Sequence, residues 1–143
     1  MYQRESAAIG EYQNIKTKYD VESASPHRLI QMMMERIIAK ISMARGHMQR
    51  EDISTKGRLI GDAIDIISGL QASLNHKADE TIAGNFDALY DYMKRRLLEA
   101  NLRNDPEILL EVSGLMFELK EAWDAIAGDA AAMDTGNQAS QNG

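Results

Sequence analysis

The sequence predicts an all-α protein: an antiparallel up-down four-helix bundle with a short N-terminal helical segment or flap and a disordered C-terminal tail. Three observations point there. The chain holds only two prolines in 143 residues, and both follow a good helix cap, in "ASPHRL" and "RNDPEI", where a missing N–H costs nothing. Ala, Leu, Ile, Met, Glu and Lys are abundant, and all suit helices. Apolar residues recur at three- and four-residue spacings through four stretches parted by short polar connections.

Ser25 caps the first long helix, with Pro26 at its first position, and the pattern continues to about Met48. "QREDIST" reads as a polar connection, and the second helix covers about Lys56 to Asn75. Asp79 caps the third, about Glu80 to Leu102. Asp105 and Pro106 repeat the opening device, and the fourth helix runs to about Ala127. Each is about 20 residues, roughly 30 Å long. Connections this short make successive helices antiparallel neighbours. Residues 1–24 carry Ile9, Tyr12, Ile15 and Tyr19 on one face of a short helix, which fits a flap lying on the bundle. Residues 128–143, "GDAAAMDTGNQASQNG", are small and polar and read as a disordered tail. The bundle domain is expected over residues 25–127.

Composition narrows the function. A formal charge of −6 offers no basic face for nucleic acid. The absence of cysteine excludes disulfides and thiolate metal sites. The first residues, "MYQRESAAIGEYQ", lack the apolar core of a signal peptide, and no apolar run approaches the roughly 18 residues of a membrane span. A cytoplasmic protein without membrane insertion is expected.

At 100° per residue each helix shows an apolar stripe. Core positions are Leu29, Ile30, Met33, Met34, Ile37, Ile41 and Ala44 on the first helix, and Leu59, Ile60, Ala63, Ile66, Ile67, Leu70 and Leu74 on the second. The third contributes Ile82, Phe86, Leu89, Tyr90, Met93, Leu97 and Ala100, and the fourth Ile108, Val112, Leu115, Met116, Leu119, Trp123 and Ile126.

Outside these stripes lies a second set. Met32, Ala39 and Met43 sit together on the first helix. Gly57, Gly61, Ile64, Ser68 and Ala72 line the second at spacings of four, three, four and four, a row of small residues that makes a shallow groove. Leu110 and Phe117, with Gly114 between them, form an outward ridge on the fourth, and Leu98 and Leu102 do the same at the end of the third. Scattered exposed apolar residues are ordinary. Several secondary stripes on one small protein point instead to a partner, and an amphipathic helix laid into grooves is the matching mode. Methionine suits such a surface because it is flexible and polarisable.

No constellation for chemistry accompanies them. His27, His47 and His76 lie near helix ends without a ligand spacing repeated on a second helix, so no metal or other cofactor is expected. "GRLIGDAI" lacks the strand and the Lys-Ser/Thr of a phosphate loop. Asp62, Asp65, Asp87 and Asp91 fall on outward faces, and "KRR" at 94–96 reads as a solvated basic cluster. An enzyme is not expected.

The blocks "ASPHRLIQMM", "KGRLIGDAIDIISGLQASL", "IAGNFDALYDYMKRRLLEANLRND" and "EVSGLMFELKEAW", in that order, resemble the flagellin export chaperone family, FliS. The resemblance covers about Tyr12 to Ile126. Two departures are visible. The family often has an Asp-Gly pair where this chain reads "MMMERIIAK", and a Gly-Gly pair where it reads "HKADETIAGNF". The resemblance implies a cytosolic, ATP-independent chaperone of flagellar type III secretion. Such a protein binds the disordered C-terminal segment of flagellin, prevents premature polymerisation and assists delivery to the export apparatus. It also implies that the N-terminal segment, through Tyr12, covers part of the binding surface when flagellin is absent, and Ile9 is expected to act with Tyr12 in that flap. Export-gate and flagellar regulatory proteins are further candidate partners, and the free protein can pair with itself through the same surface. A helical adaptor for another secretion or flagellar component is the alternative.

Overall fold

A computed structural model describes the backbone of residues 25–74 and 80–142, and side chains within 25–74 and 83–126. The expected flap with Ile9, Tyr12, Ile15 and Tyr19, the cap Asp79, the helix end at Asn75, His76 and the Ile82 side chain lie outside the described residues. Four helices follow one another: α1 (Pro26–Gln49), α2 (Ile53–Ala72), α3 (Glu80–Arg103) and α4 (Pro106–Asn142). Among the described residues, α1 packs on α2 and α4, α2 on α3, and α3 on α4.

The helix starts follow their caps. The Ser25 Oγ accepts a hydrogen bond from the Arg28 N–H at 3.1 Å, and Pro26 occupies the first turn. The two tight turns share one device. Glu51 (φ 61°) and Asn104 (φ 49°) each take the left-handed conformation that ends a helix. Asp52 donates its N–H back to the His47 carbonyl at 2.9 Å, and Asp105 to the Ala100 carbonyl at 3.1 Å. Each aspartate then caps the next helix, accepting from the Thr55 N–H at 3.3 Å and the Glu107 N–H at 3.0 Å. The second helix accordingly starts at Ile53 rather than near Lys56, because Asp52 is a competent cap inside the stretch read as connection. The backbone of α4 stays helical to Asn142, past the boundary near Ala127 and through residues expected to form a disordered tail. Alanines 130–132 favour helix and no proline interrupts the run after Pro106.

The core sits where the four stripes meet. Met33, Met34, Ile37, Ile41, Leu59, Ile60, Ile66, Ile67, Leu70, Met93 and Leu97 are fully buried, and each such side chain is worth about 1.5–3 kcal/mol of burial. Ile30, Leu74, Phe86, Leu89, Leu115, Leu119 and Trp123 pack against this centre while partly open. Three placements differ from the sequence reading. Ile64 is 2% exposed and belongs to the core. Leu109 is fully buried, on the edge of the α4 stripe. Ile126, expected inside, is exposed, at the end of the stretch of α4 whose side chains are described.

Candidate protein-docking surface

Contacts between helices fix the register of the bundle and divide its outside into four seams. Across α2–α3, the Gln71 Nε2 donates to the Asp87 and Asp91 carboxylates, both at 2.9 Å, and the Lys94 Nζ to the Ser68 Oγ at 3.3 Å. Near the other end the Lys56 Nζ donates to the Asn101 carbonyl at 3.0 Å and to the Asn104 Oδ1 at 2.6 Å. This register sets Gly61 level with Leu98 and Gly57 level with Leu102. Between the polar bridges the seam is open. A Cβ added at Gly61 meets nothing within 4 Å, and one at Gly57 meets only the Asn101 Oδ1, at 3.8 Å. Leu98 and Leu102 are exposed, Leu102 to 83%. The seam is therefore a shallow trough with a glycine floor on α2 and a leucine rim on α3.

The expected groove row holds in part. Gly57, Gly61 and Ser68 share this trough and Ala72 is exposed beyond its upper end. Ile64 does not join them. At its azimuth, on the side of the row nearer α3, the helix already faces the core, and a large apolar side chain there is drawn inward.

The remaining expected residues lie elsewhere. Met32 (half-buried) and Met43 (51% exposed) stand eleven residues apart, nearly in line on the flank of α1 towards α2. There the Lys40 Nζ pairs with the Asp62 carboxylate at 3.2 Å. Leu110 and Phe117, the latter 52% exposed, lie on α4. The candidate set thus forms three apolar strips on three faces rather than one patch. Ile53 adds another exposed apolar side chain at the start of α2. It was hidden from the sequence reading inside the polar connection.

The fourth seam, α3–α4, is closed by charge. The Arg96 Nε pairs with Glu111 at 2.7 Å, its Nη1 with Glu99 at 2.6 Å, and Arg103 with Glu99 at 2.8 Å. The Tyr92 hydroxyl donates to Glu111 at 3.0 Å. The Arg96 hydrogen bond holds the Glu111 carboxyl below its ordinary range, and the carboxylate it meets pushes the Tyr92 hydroxyl up. Within "KRR", then, Lys94 and Arg96 are engaged and only Arg95 is exposed.

The upper part of the α1–α4 seam is latched. The His27 and Trp123 rings stack at 4.5 Å and 7°. The Trp123 Nε1 donates to the His27 carbonyl at 3.0 Å, and the His27 Nε2 lies 2.9 Å from the Trp123 carbonyl. The Gln31 Nε2 donates to Asp124 at 2.6 Å, and Lys120 pairs with Asp124 at 2.8 Å, holding that carboxyl low.

Lys56 is the one buried charged residue among those described, at 3% exposure. Sequence reasoning gave it no role, since lysine at a helix start reads as surface. It caps the end of α3 instead. His47 pairs with Asp52 at 3.1 Å and His27 is held in its stack. Among the described residues no group of three or more His, Cys, Asp or Glu is placed to hold a metal ion. No helix among them is long and apolar enough to cross a membrane.

Among the described residues the chain is a four-helix bundle with exposed apolar side chains along three of its outer seams and ion pairs along the fourth. The chain belongs to the FliS family, whose sequence model, described as flagellar protein FliS, matches residues 8–130. It is 47% identical over 120 residues to the flagellar secretion chaperone FliSB of Pseudomonas aeruginosa, covering 84% of this chain and 95% of that one. To the flagellar secretion chaperone FliS of Salmonella typhimurium it is 40% identical over 126 residues, covering 87% and 93%. The corresponding protein of Bacillus subtilis is 32% identical over 114 residues, covering 78% and 84%.

Proposed function

We propose that the protein is a flagellar secretion chaperone that binds the C-terminal segment of flagellin in the bacterial cytosol, keeps it from polymerising and assists its delivery to the export apparatus. The observation that carries this reading is the set of open apolar seams. Gly57, Gly61 and Ser68 with Leu98 and Leu102 form one strip, Met32 and Met43 a second, and Leu110 and Phe117 a third. A disordered segment loses conformational freedom when it binds. A partner wrapped over several separate strips gains about 25 cal/mol for each Å² of apolar surface it covers, which offsets that loss. While the segment lies in the seams it is unavailable to other flagellin copies. Ile9 and Tyr12 act as a competing flap over the same surface in the free protein.

Calorimetric titration of the full chain with a flagellin C-terminal segment tests this, together with light scattering of full-length flagellin with and without the chaperone. One-to-one binding and suppressed polymerisation are expected. Absence of binding at micromolar concentration refutes the reading. Deletion of residues 1–15 is expected to leave the affinity unchanged or higher, and a large loss refutes the flap.

A further inference from the structure

The lower half of the α1–α4 seam holds a feature that apolar packing does not explain. Gln31 on α1 hydrogen-bonds Asp124 on α4. On antiparallel helices, seven-residue steps keep to one stripe, so the next rung down the seam pairs Ile38 with Phe117, and the one below pairs Arg45 with Leu110. The top rung is polar and closed. The middle rung is apolar and open on the Phe117 side. At the bottom rung Arg45 is half-buried, and its Nε is shut off from solvent with no hydrogen-bond partner. Among the described residues no carboxylate of the chain pairs with it. A half-buried guanidinium with no carboxylate of its own chain leaves a positive charge uncompensated beside an apolar strip, and a carboxylate from outside can pair with it.

We propose that Arg45 is the polar anchor of the α1–α4 seam and receives a carboxylate from the bound polypeptide. The occupant is an amphipathic helix. One apolar side chain rests on Phe117 and Ile38, and a carboxylate two turns away reaches the guanidinium beside Leu110. Guanidinium is suited to this because one N–H from each of its two Nη atoms can bind both oxygens of a carboxylate at once, which a lysine ammonium does not reproduce. The apolar rung gives adhesion, and the charged rung gives direction and register along the seam. The inference rests on the reading of the protein as a flagellin chaperone and adds what that seam demands of its ligand.

The probe is the flagellin C-terminal segment, titrated calorimetrically into full-length wild type, Arg45→Gln and Arg45→Lys, with thermal melts confirming that each variant folds. Arg45→Gln is expected to weaken binding tenfold or more and to flatten its salt dependence. Arg45→Lys should recover only part of the loss. Replacing the segment's acidic residues singly by their amides, or amidating its C-terminus, then identifies the carboxylate. The correct replacement costs wild type the same factor but costs Arg45→Gln almost nothing. If wild type binds and Arg45→Gln binds equally well, the anchor is refuted while the chaperone reading stands. If wild type does not bind the segment at all, both fall. Should Arg45→Gln fail to fold, Arg45→Lys and the amide series decide, and equal binding throughout refutes the anchor.

Discussion

Gly61→Leu separates stability from function because the two should move in opposite directions. A Cβ at Gly61 meets nothing within 4 Å, so a side chain can leave the backbone there without straining the fold. Replacing a mid-helix glycine by leucine then gains roughly 0.5–1 kcal/mol from helix propensity. With a urea m-value of about 1.5 kcal/mol/M, the unfolding midpoint should rise by roughly 0.3–0.7 M. The same side chain fills the trough between α2 and the Leu98 rim. It holds roughly 80 Å² of a partner's apolar surface off the floor, about 2 kcal/mol, or near 30-fold in Kd. The assay is urea unfolding alongside calorimetry with the flagellin C-terminal segment. A stabilised variant that binds as tightly as wild type refutes the trough as a contact. A destabilised one refutes the claim that the position is open.

Other expectations follow from the frame of the bundle. Lys56→Met keeps the buried stem but removes the ammonium that caps α3. Asn104 is exposed and can rehydrate, so the lost bond that counts is the one to the Asn101 carbonyl. Charged hydrogen bonds are worth about 1.5–3 kcal/mol, partly offset by no longer burying the charge, so a net loss of about 1–2 kcal/mol is expected in urea unfolding. An unchanged midpoint shows that desolvation cancels the cap. Glu51→Gly relieves a left-handed residue with φ 61° and should stabilise by roughly 1 kcal/mol, with no change in binding. Burial pushes the Tyr90 hydroxyl up to about 12. Its folded-state pKa lies above the unfolded value, so its contribution is intact below about pH 10 and is lost as pH rises towards 12. Melting temperature should fall across that window and fall less in Tyr90→Phe, and equal slopes refute the assignment.

The fold was legible because its determinants are local. Ser25-Pro26 and Asp105-Pro106 mark helix starts within four residues of sequence, and the apolar stripes of α1 and α2 match the core. What escaped was set by neighbours. Ile64 and Gly61 are three residues apart in one row, yet one is core and the other open, because the position of α3 decides where the row dips inward. Ile126 keeps the α4 periodicity and is nonetheless exposed, because periodicity alone does not say how far along a helix its neighbours reach. Lys56 reads as surface from composition, and only the arrival of Asn101 and Asn104 from α3 and its turn makes its burial tolerable. The candidate surface was half legible for the same reason. Apolar residues off the main stripe show up in a single sequence, but which seam each belongs to depends on register, and register is fixed by pairs such as Gln31–Asp124 that are more than ninety residues apart.

The contrast between the seams also bears on how a partner approaches. On α3–α4, Arg96, Glu99, Arg103, Glu111 and Tyr92 satisfy one another, and a bound chain crossing there must displace exposed ion pairs for little apolar gain. On the other three seams the polar contacts are spaced apart, and glycine, methionine, leucine or phenylalanine surface is open beside them. A polypeptide that maximises apolar burial therefore runs over α1–α2, α2–α3 and α4–α1 and leaves the fourth seam bare. The strips on those three seams point in different directions, so no single straight helix covers them. On the proposed reading, a ligand that covers all three bends between contacts, and a segment without a fixed fold of its own does so without first being unfolded.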